Sequence, residues 1–305
     1  MQRVRMQVGA EFKKRETWME RPLTIAVLDT GIGSHPDLKD SILCFRDFSG
    51  GKVSAYDDNG HGTHICGILC GNGQMSGGRL RGMAPGCRLV VGKVLDEKGD
   101  GMTETMLAGR EWVLDNRERF QIRVLNISVG ISRLRQTQKL RALKQMTQRA
   151  WEEGIVVVCA AGNRGPGDGT ISSLGDGRKV ITVGCHDGAY YRGNPNRCET
   201  YSGRGDAASG ERKPDLVAPG TDILSCNAGC KMQYGTIINP YIAKSGTSMA
   251  TSVVAGAAAL LLQKDPLFSN EAVRCKLTYS ATDLGEAWNK QGWGMLNVGK
   301  ILGSY

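Results

Sequence analysis

Polar residues punctuate this chain at the ends of short apolar runs. Residues 23–33 read LTIAVLDTGIG, 87–96 CRLVVGKVLD, 122–130 IRVLNISVG, 154–163 GIVVVCAAGN and 179–185 KVITVGC. Each run is continuous instead of alternating, the pattern of a strand buried on both faces. Between them, residues 64–70, 103–119 and 136–153 carry helix-like spacing. Strands alternating with helices predict right-handed crossovers and a mostly parallel α/β sheet with helices on both faces. Ligands of such sheets bind at the carboxyl ends of the strands. Those ends are where the polar residues gather.

The longest apolar segment has a different character. Residues 245–262, SGTSMATSVVAGAAALLL, are rich in Ala and Leu and predict a buried helix that begins in a small polar run. Ser248 then sits at a helix start. A serine there caps free N–H groups, or serves as a nucleophile whose oxyanion those N–H groups and the helix dipole stabilise. The segment alone leaves both readings open.

Composition narrows the class. The chain has 305 residues, enough for a sizeable core. It has no low-complexity tract, repeat or splitting linker, so one globular unit over 23–305 is expected, preceded by a basic extension over 1–22. No apolar run reaches the roughly 18 residues of a membrane span, and the basic N-terminus lacks the apolar core of a secretion signal. Ten cysteines are scattered through apolar runs, the usage of buried free thiols in a reduced compartment, so a cytoplasmic location is expected. None stands at zinc spacing. The net charge of +9 raises nucleic acid as a partner. Part of it lies in 133–149, RLRQTQKLRALKQMTQR, where spaced leucines make it the solvated face of an amphipathic helix.

Serine-mediated acyl transfer needs a base, a carboxylate to orient that base, and donors for the oxyanion. The strings VLDTGIG with Asp29, DDNGHGTHICG with His61 and SGTSMAT with Ser248 supply all three groups in the order Asp, His, Ser. On these motifs the chain resembles the subtilisin-like serine peptidases, or subtilases, which share that order. LNISVG, AAGN, KPDLVAPGTDI and GWGMLNV extend the resemblance from about residue 23 to the C-terminus.

The resemblance implies a three-layer subtilisin-like fold and a serine endopeptidase acting on peptides or unfolded proteins. Ser248 becomes the nucleophile, His61 the general base and acid, and Asp29 the residue that orients the imidazole. Asn163 and the Ser248 N–H form the oxyanion hole. Substrate would lie as an added strand between Gly99-Asp100-Gly101 and Ser128-Val129-Gly130, with Ala161 and Gly162 beside it. His64 packs near the helix start, and Met249 is an oxidation-sensitive neighbour. The loop 163–175 has small Ser172 and Ser173, which favours an apolar side chain before the scissile bond, while Asp100 and Asp168 would favour a basic one.

Some features depart from the family pattern. Ser252 stands where the family usually has proline, and SCNAGCKMQYGTIINPYIAKSGTS is a long approach to the nucleophile, read as a surface excursion. The short basic N-terminus resembles the intracellular members and could lie across the cleft. No cofactor is required. Calcium is a candidate structural ion, with Asp37 resembling a ligand, although GNGQMSGGRLRG lacks the oxygen donors a hard cation wants. The alternative function is a catalytically silent regulatory or binding protein with the same fold.

Overall fold

The expected apolar runs form the centre of one sheet. A computed structural model describes residues 1–11, 17–129, 138–188, 197–234 and 236–303. Helix α1 (Gln2–Gln7) precedes β1 (Thr24–Asp29) and β2 (Ile42–Asp47). Then come α2 (His61–Cys70), β3 (Arg88–Lys93), α3 (Thr103–Asp115) and a short α4 (Arg117–Phe120). They are followed by β4 (Ile122–Ile127), α5 (Gln138–Glu152), β5 (Val156–Ala160) and β6 (Ile181–Cys185). Next are β7 (Leu216–Ala218), β8 (Ile223–Cys226), β9 (Lys231–Gln233), β10 (Thr236–Ile238) and β11 (Tyr241–Lys244). The chain closes with α6 (Thr247–Lys264), α7 (Asn270–Tyr279), α8 (Trp288–Gln291) and α9 (Val298–Leu302).

Seven strands lie in the order β2-β3-β1-β4-β5-β6-β7. Every neighbouring pair is parallel. All six residues of β1 and all five of β5 are buried, which is why these strands read as unbroken apolar runs. On one face α6 packs on β4, β5 and β6 and against α2, while α3 packs with α5 on the other. The architecture is the three-layer α/β fold expected. Chain order reverses at β1, with β3 on one side and β4 on the other, so the crevice beyond their carboxyl ends is where a ligand belongs.

The solvated-face reading of the basic segment 133–149 holds over its described part, in α5, while 133–137 lie outside the described residues. Leu140, Leu143, Ala150 and Trp151 are buried, while Lys139, Lys144 and Arg149 pair with Glu104, Asp176 and Glu153. The long approach to the nucleophile makes two antiparallel ribbons, β8 with β11 and β9 with β10. The expectation of ten free thiols needs correction. Cys185 and Cys198 are joined as a disulfide and eight cysteines are free. Their Cα atoms are 5.5 Å apart across the end of β6 and the turn at Arg197–Thr200, within reach of a bridge that their spacing in sequence did not suggest.

The basic N-terminus is no loose tail over its described residues. Met1, Val4, Val8 and Ala10 belong to the main core, and Val8 O accepts the Val298 N–H at the start of α9. The partners of its polar side chains include Asp187, Thr221 and the turn at residues 79–81, all outside the segments assigned to substrate.

Candidate active site

Asp29 is the last residue of β1 and is fully buried. Its Oδ1 accepts the Thr30 N–H at 2.8 Å and the His61 Nδ1–H at 2.7 Å. Its Oδ2 is buried without a hydrogen bond among the described residues. Burial away from solvent leaves its attraction for the imidazole less screened than at the surface.

His61 opens α2 immediately after Gly60, whose φ of +87° is a left-handed conformation that costs glycine little. Its side chain keeps 24% of its surface exposed, enough to meet a substrate. Burial pulls the imidazole pKa down, and the charge and hydrogen bond of Asp29 outweigh it, so the group sits above its ordinary value. Because Nδ1 is committed to Asp29, Nε2 is the nitrogen left to take and return a proton.

His64 lies three residues further on the same helix and is fully buried. Its Nε2–H faces the carbonyls of Ile223 at 2.8 Å and Ile242 at 3.1 Å, tying α2 to the β8–β11 ribbon. Desolvation pushes its pKa down to about 3, so it stays neutral and structural.

Ser248 is the second residue of α6 and is 8% exposed. Its hydroxyl donates to Ser128 O at 2.6 Å. To act as a nucleophile it must rotate toward His61 Nε2, the tightening expected when substrate fills a site. Asn163 Oδ1 accepts both the N–H and the hydroxyl of Thr247, at 3.0 and 2.9 Å. This fixes the orientation of the amide, and among the described residues no acceptor is bonded to its Nδ2. Met249 N–H is taken by Gly246 O, whereas no acceptor is bonded to the Ser248 N–H among the described residues. The unbonded Ser248 N–H thus lies at the N-terminus of α6, on the residue that carries the hydroxyl. This resolves the opening ambiguity: the N-cap of α6 is Gly246, and the Ser248 hydroxyl donates to Ser128 O instead of accepting an N–H of its own helix.

Of the expected substrate segments, Ser128 bonds Ser248 directly, and Gly99 lies near Asn59, whose Oδ1 accepts the His61 N–H at 3.1 Å. Asp96 pins the turn before the first by accepting the Asp100 N–H at 2.9 Å while its own N–H bonds Asp100 O, leaving Gly99, Asp100 and Gly101 at the surface. Ser128 is buried and Val129 packs on the core, while Gly130 lies outside the described residues. The carbonyls of Ala161 and Gly162 accept the N–H groups of Ser172 and Gly203 at 2.7 Å. Asp168 accepts a bond from Asn289 at 2.9 Å and is turned toward α8. Ser252 donates to Ser248 O at 3.0 Å, so the residue replacing proline ties down the nucleophile's own carbonyl.

A profile described as the subtilase family matches residues 20–294. The chain belongs to the subtilase family. It is 38% identical over 279 residues to serine protease AprX of Bacillus subtilis (strain 168), covering 88% of this chain and 63% of AprX. It is 36% identical over 274 residues to subtilisin Savinase of Lederbergia lenta, covering 90% and 88%. Among solved structures, Sphericase aligns with a TM-score of 0.78 at 29% identity over 90% of this chain and 91% of its own.

This subtilase also has site residues that sequence reasoning missed. Asp57, just before α2, accepts five bonds: from Thr30 Oγ1 (2.8 Å), Asn59 N (3.2 Å), Gly60 N (2.8 Å), Thr63 N (2.8 Å) and Thr63 Oγ1 (2.6 Å). Burial raises its pKa and the donated bonds outweigh that, leaving the carboxyl below its ordinary range. It locks the residue after Asp29 to the turn carrying His61. An aspartate three residues before a glycine at a helix start was the available signal. Buried Lys93, aligned with Asp29 in the β1–β3 ladder, donates to Thr30 O, Leu95 O and Asp58 at 2.7–2.8 Å. Its string, VVGKVLD, offered nothing to distinguish it from a solvent lysine.

Proposed function

We propose that this subtilase is a serine endopeptidase hydrolysing peptide bonds of proteins or peptides through an acyl-enzyme. The observation that carries the reading is the Asp29–His61 bond at 2.7 Å, which commits Nδ1 and leaves Nε2 as the ring nitrogen that can accept a proton. Ser248 Oγ gives its proton to His61 and attacks the scissile carbonyl carbon. Negative charge develops on the carbonyl oxygen, where Asn163 Nδ2–H and Ser248 N–H receive it. His61 then passes the proton to the leaving amine. Water repeats the sequence on the ester, with His61 again base and then acid, and Asp29 stabilises the imidazolium at both stages.

Substrate binds as an extended strand between residues 99–101 and 128–130, so unfolded chains and flexible peptides are the substrate class. With Asp168 engaged by Asn289 and Ser172 and Ser173 small and buried, an apolar side chain is favoured before the scissile bond. A cytoplasmic location is supported by eight free cysteines, five of them buried. The Cys185–Cys198 bridge weighs the other way. No feature favours a silent binding protein.

The test is covalent labelling with a fluorophosphonate followed by peptide mapping. Label at Ser248 that is lost in Ser248→Ala, together with a fall in kcat of about 10⁶-fold, is the expected result. Folded protein that takes no label would sink the proposal.

A further inference from the structure

The turn at residues 71–82 follows α2 and must be held in place. It contains Gly73, Gly77 and Gly78, all at positive φ, and such a turn leaves carbonyls without strand or helix partners. Family resemblance suggests that calcium gathers them, with Asp37 as a ligand. The residues present do not fit that ion. Asp37 is 1% exposed, and both its oxygens are already satisfied, Oδ1 by the Met75 N–H at 2.9 Å and Oδ2 by the Tyr241 hydroxyl at 2.6 Å. The turn contains no carboxylate and carries Arg79 and Arg81. Calcium, which takes six to eight oxygens, would have to strip Asp37 of its donors and sit among cationic side chains.

A different cation is built into the place. Arg5, on α1, is 3% exposed. Its Nη1 donates to Arg81 O, its Nη2 to Arg79 O at 3.4 Å and its Nε to Glu11 Oε1 at 2.9 Å. A planar guanidinium can serve two neighbouring carbonyls and a carboxylate together, which a lysine ammonium cannot do in one fixed geometry. The backbone around it is anchored independently: Val4 and Val8 are buried, and Arg5 O accepts the Ala10 N–H at 2.7 Å.

We propose that Arg5 is the resident cation of the 71–82 turn, that the N-terminal segment exists in part to deliver it, and that folding of this subtilase is independent of calcium. Thermal unfolding followed by circular dichroism, with the activity inhibited to prevent autolysis, tests this directly. The midpoint of the full chain should be the same in chelator and in millimolar calcium. Arg5→Met should lower it by about 5 °C by orphaning two carbonyls, and Arg5→Lys should fall between. A calcium-dependent rise of several degrees, a saturable calorimetric isotherm for calcium, or an unchanged midpoint in Arg5→Met would each overturn the proposal. Should Arg5→Met fail to fold, Arg5→Lys and the two wild-type calcium measurements still decide it.

Discussion

His61 and His64 stand on one helix, three residues apart in one motif, yet their surroundings push them in opposite directions. His61 faces a buried carboxylate and keeps part of its ring in solvent, so its protonated form is favoured. His64 faces backbone carbonyls with no counter-charge, and its protonated form is expelled to about pH 3. Proximity to the triad does not make a proton carrier. A carboxylate partner and a route to substrate do.

The largest expected break in that contrast is Asp29→Asn. Removing the charge while retaining the shape should cut kcat by about 10⁴-fold by presenting the wrong His61 tautomer. It should also move the acid limb of the residual activity to lower pH, because the interaction that holds the imidazole above its ordinary value is gone. The kcat/KM–pH profile of the variant reads both effects, and an unmoved limb would mean that Asp29 does not set the His61 titration. Asn163→Ala comes next. A loss of about 10²–10³ in kcat is expected with little change in KM, and the acid limb should stay put because no charge near His61 is altered.

The smallest effect on turnover belongs to His64→Gln, with kcat/KM expected to remain within a few-fold. Its signature is in stability. The folded His64 pKa is depressed from 6.5 to about 3, so its contribution is fully present above about pH 6.5 and declines as pH falls toward 3. The unfolded chain binds a proton there that the folded chain refuses. The decline approaches about 1.4 kcal/mol per pH unit. Denaturant titrations between those limits should show a flatter pH dependence in the variant. The same slope in both proteins would reassign the acid sensitivity to other groups. The linkage of His61 has the opposite sign, its contribution being present below 6.5 and lost as pH rises through its elevated folded value.

The parts legible in sequence were those whose chemistry is local. Strands β1, β3, β4, β5 and β6 could be read because a strand buried on both faces must be apolar throughout. β2, at the sheet edge, has no fully buried residue over ILCFRD, only half-buried and exposed ones, and gave no continuous run. The triad and Asn163 could be read because each lies in a string of distinctive residues. Asp57 and Lys93 escaped because a polar side chain shows its burial only after distant segments meet. The N-terminal segment was misleading for the same reason: its charges are conspicuous, whereas the packing of Val4 and Val8 and the seating of Arg5 depend on α9 and the 71–82 turn.

Helix α6 has a further consequence for how the molecule fails. Every residue from Thr247 to Gln263 is buried, and the helix packs on four strands of the sheet, β4 to β7. The nucleophile is therefore mounted on the core instead of on a peripheral unit, so the interior amides of α6 should be among the last to exchange. Heat should abolish activity and structure together, with no early inactive intermediate in which the scaffold stands and only the serine has been lost.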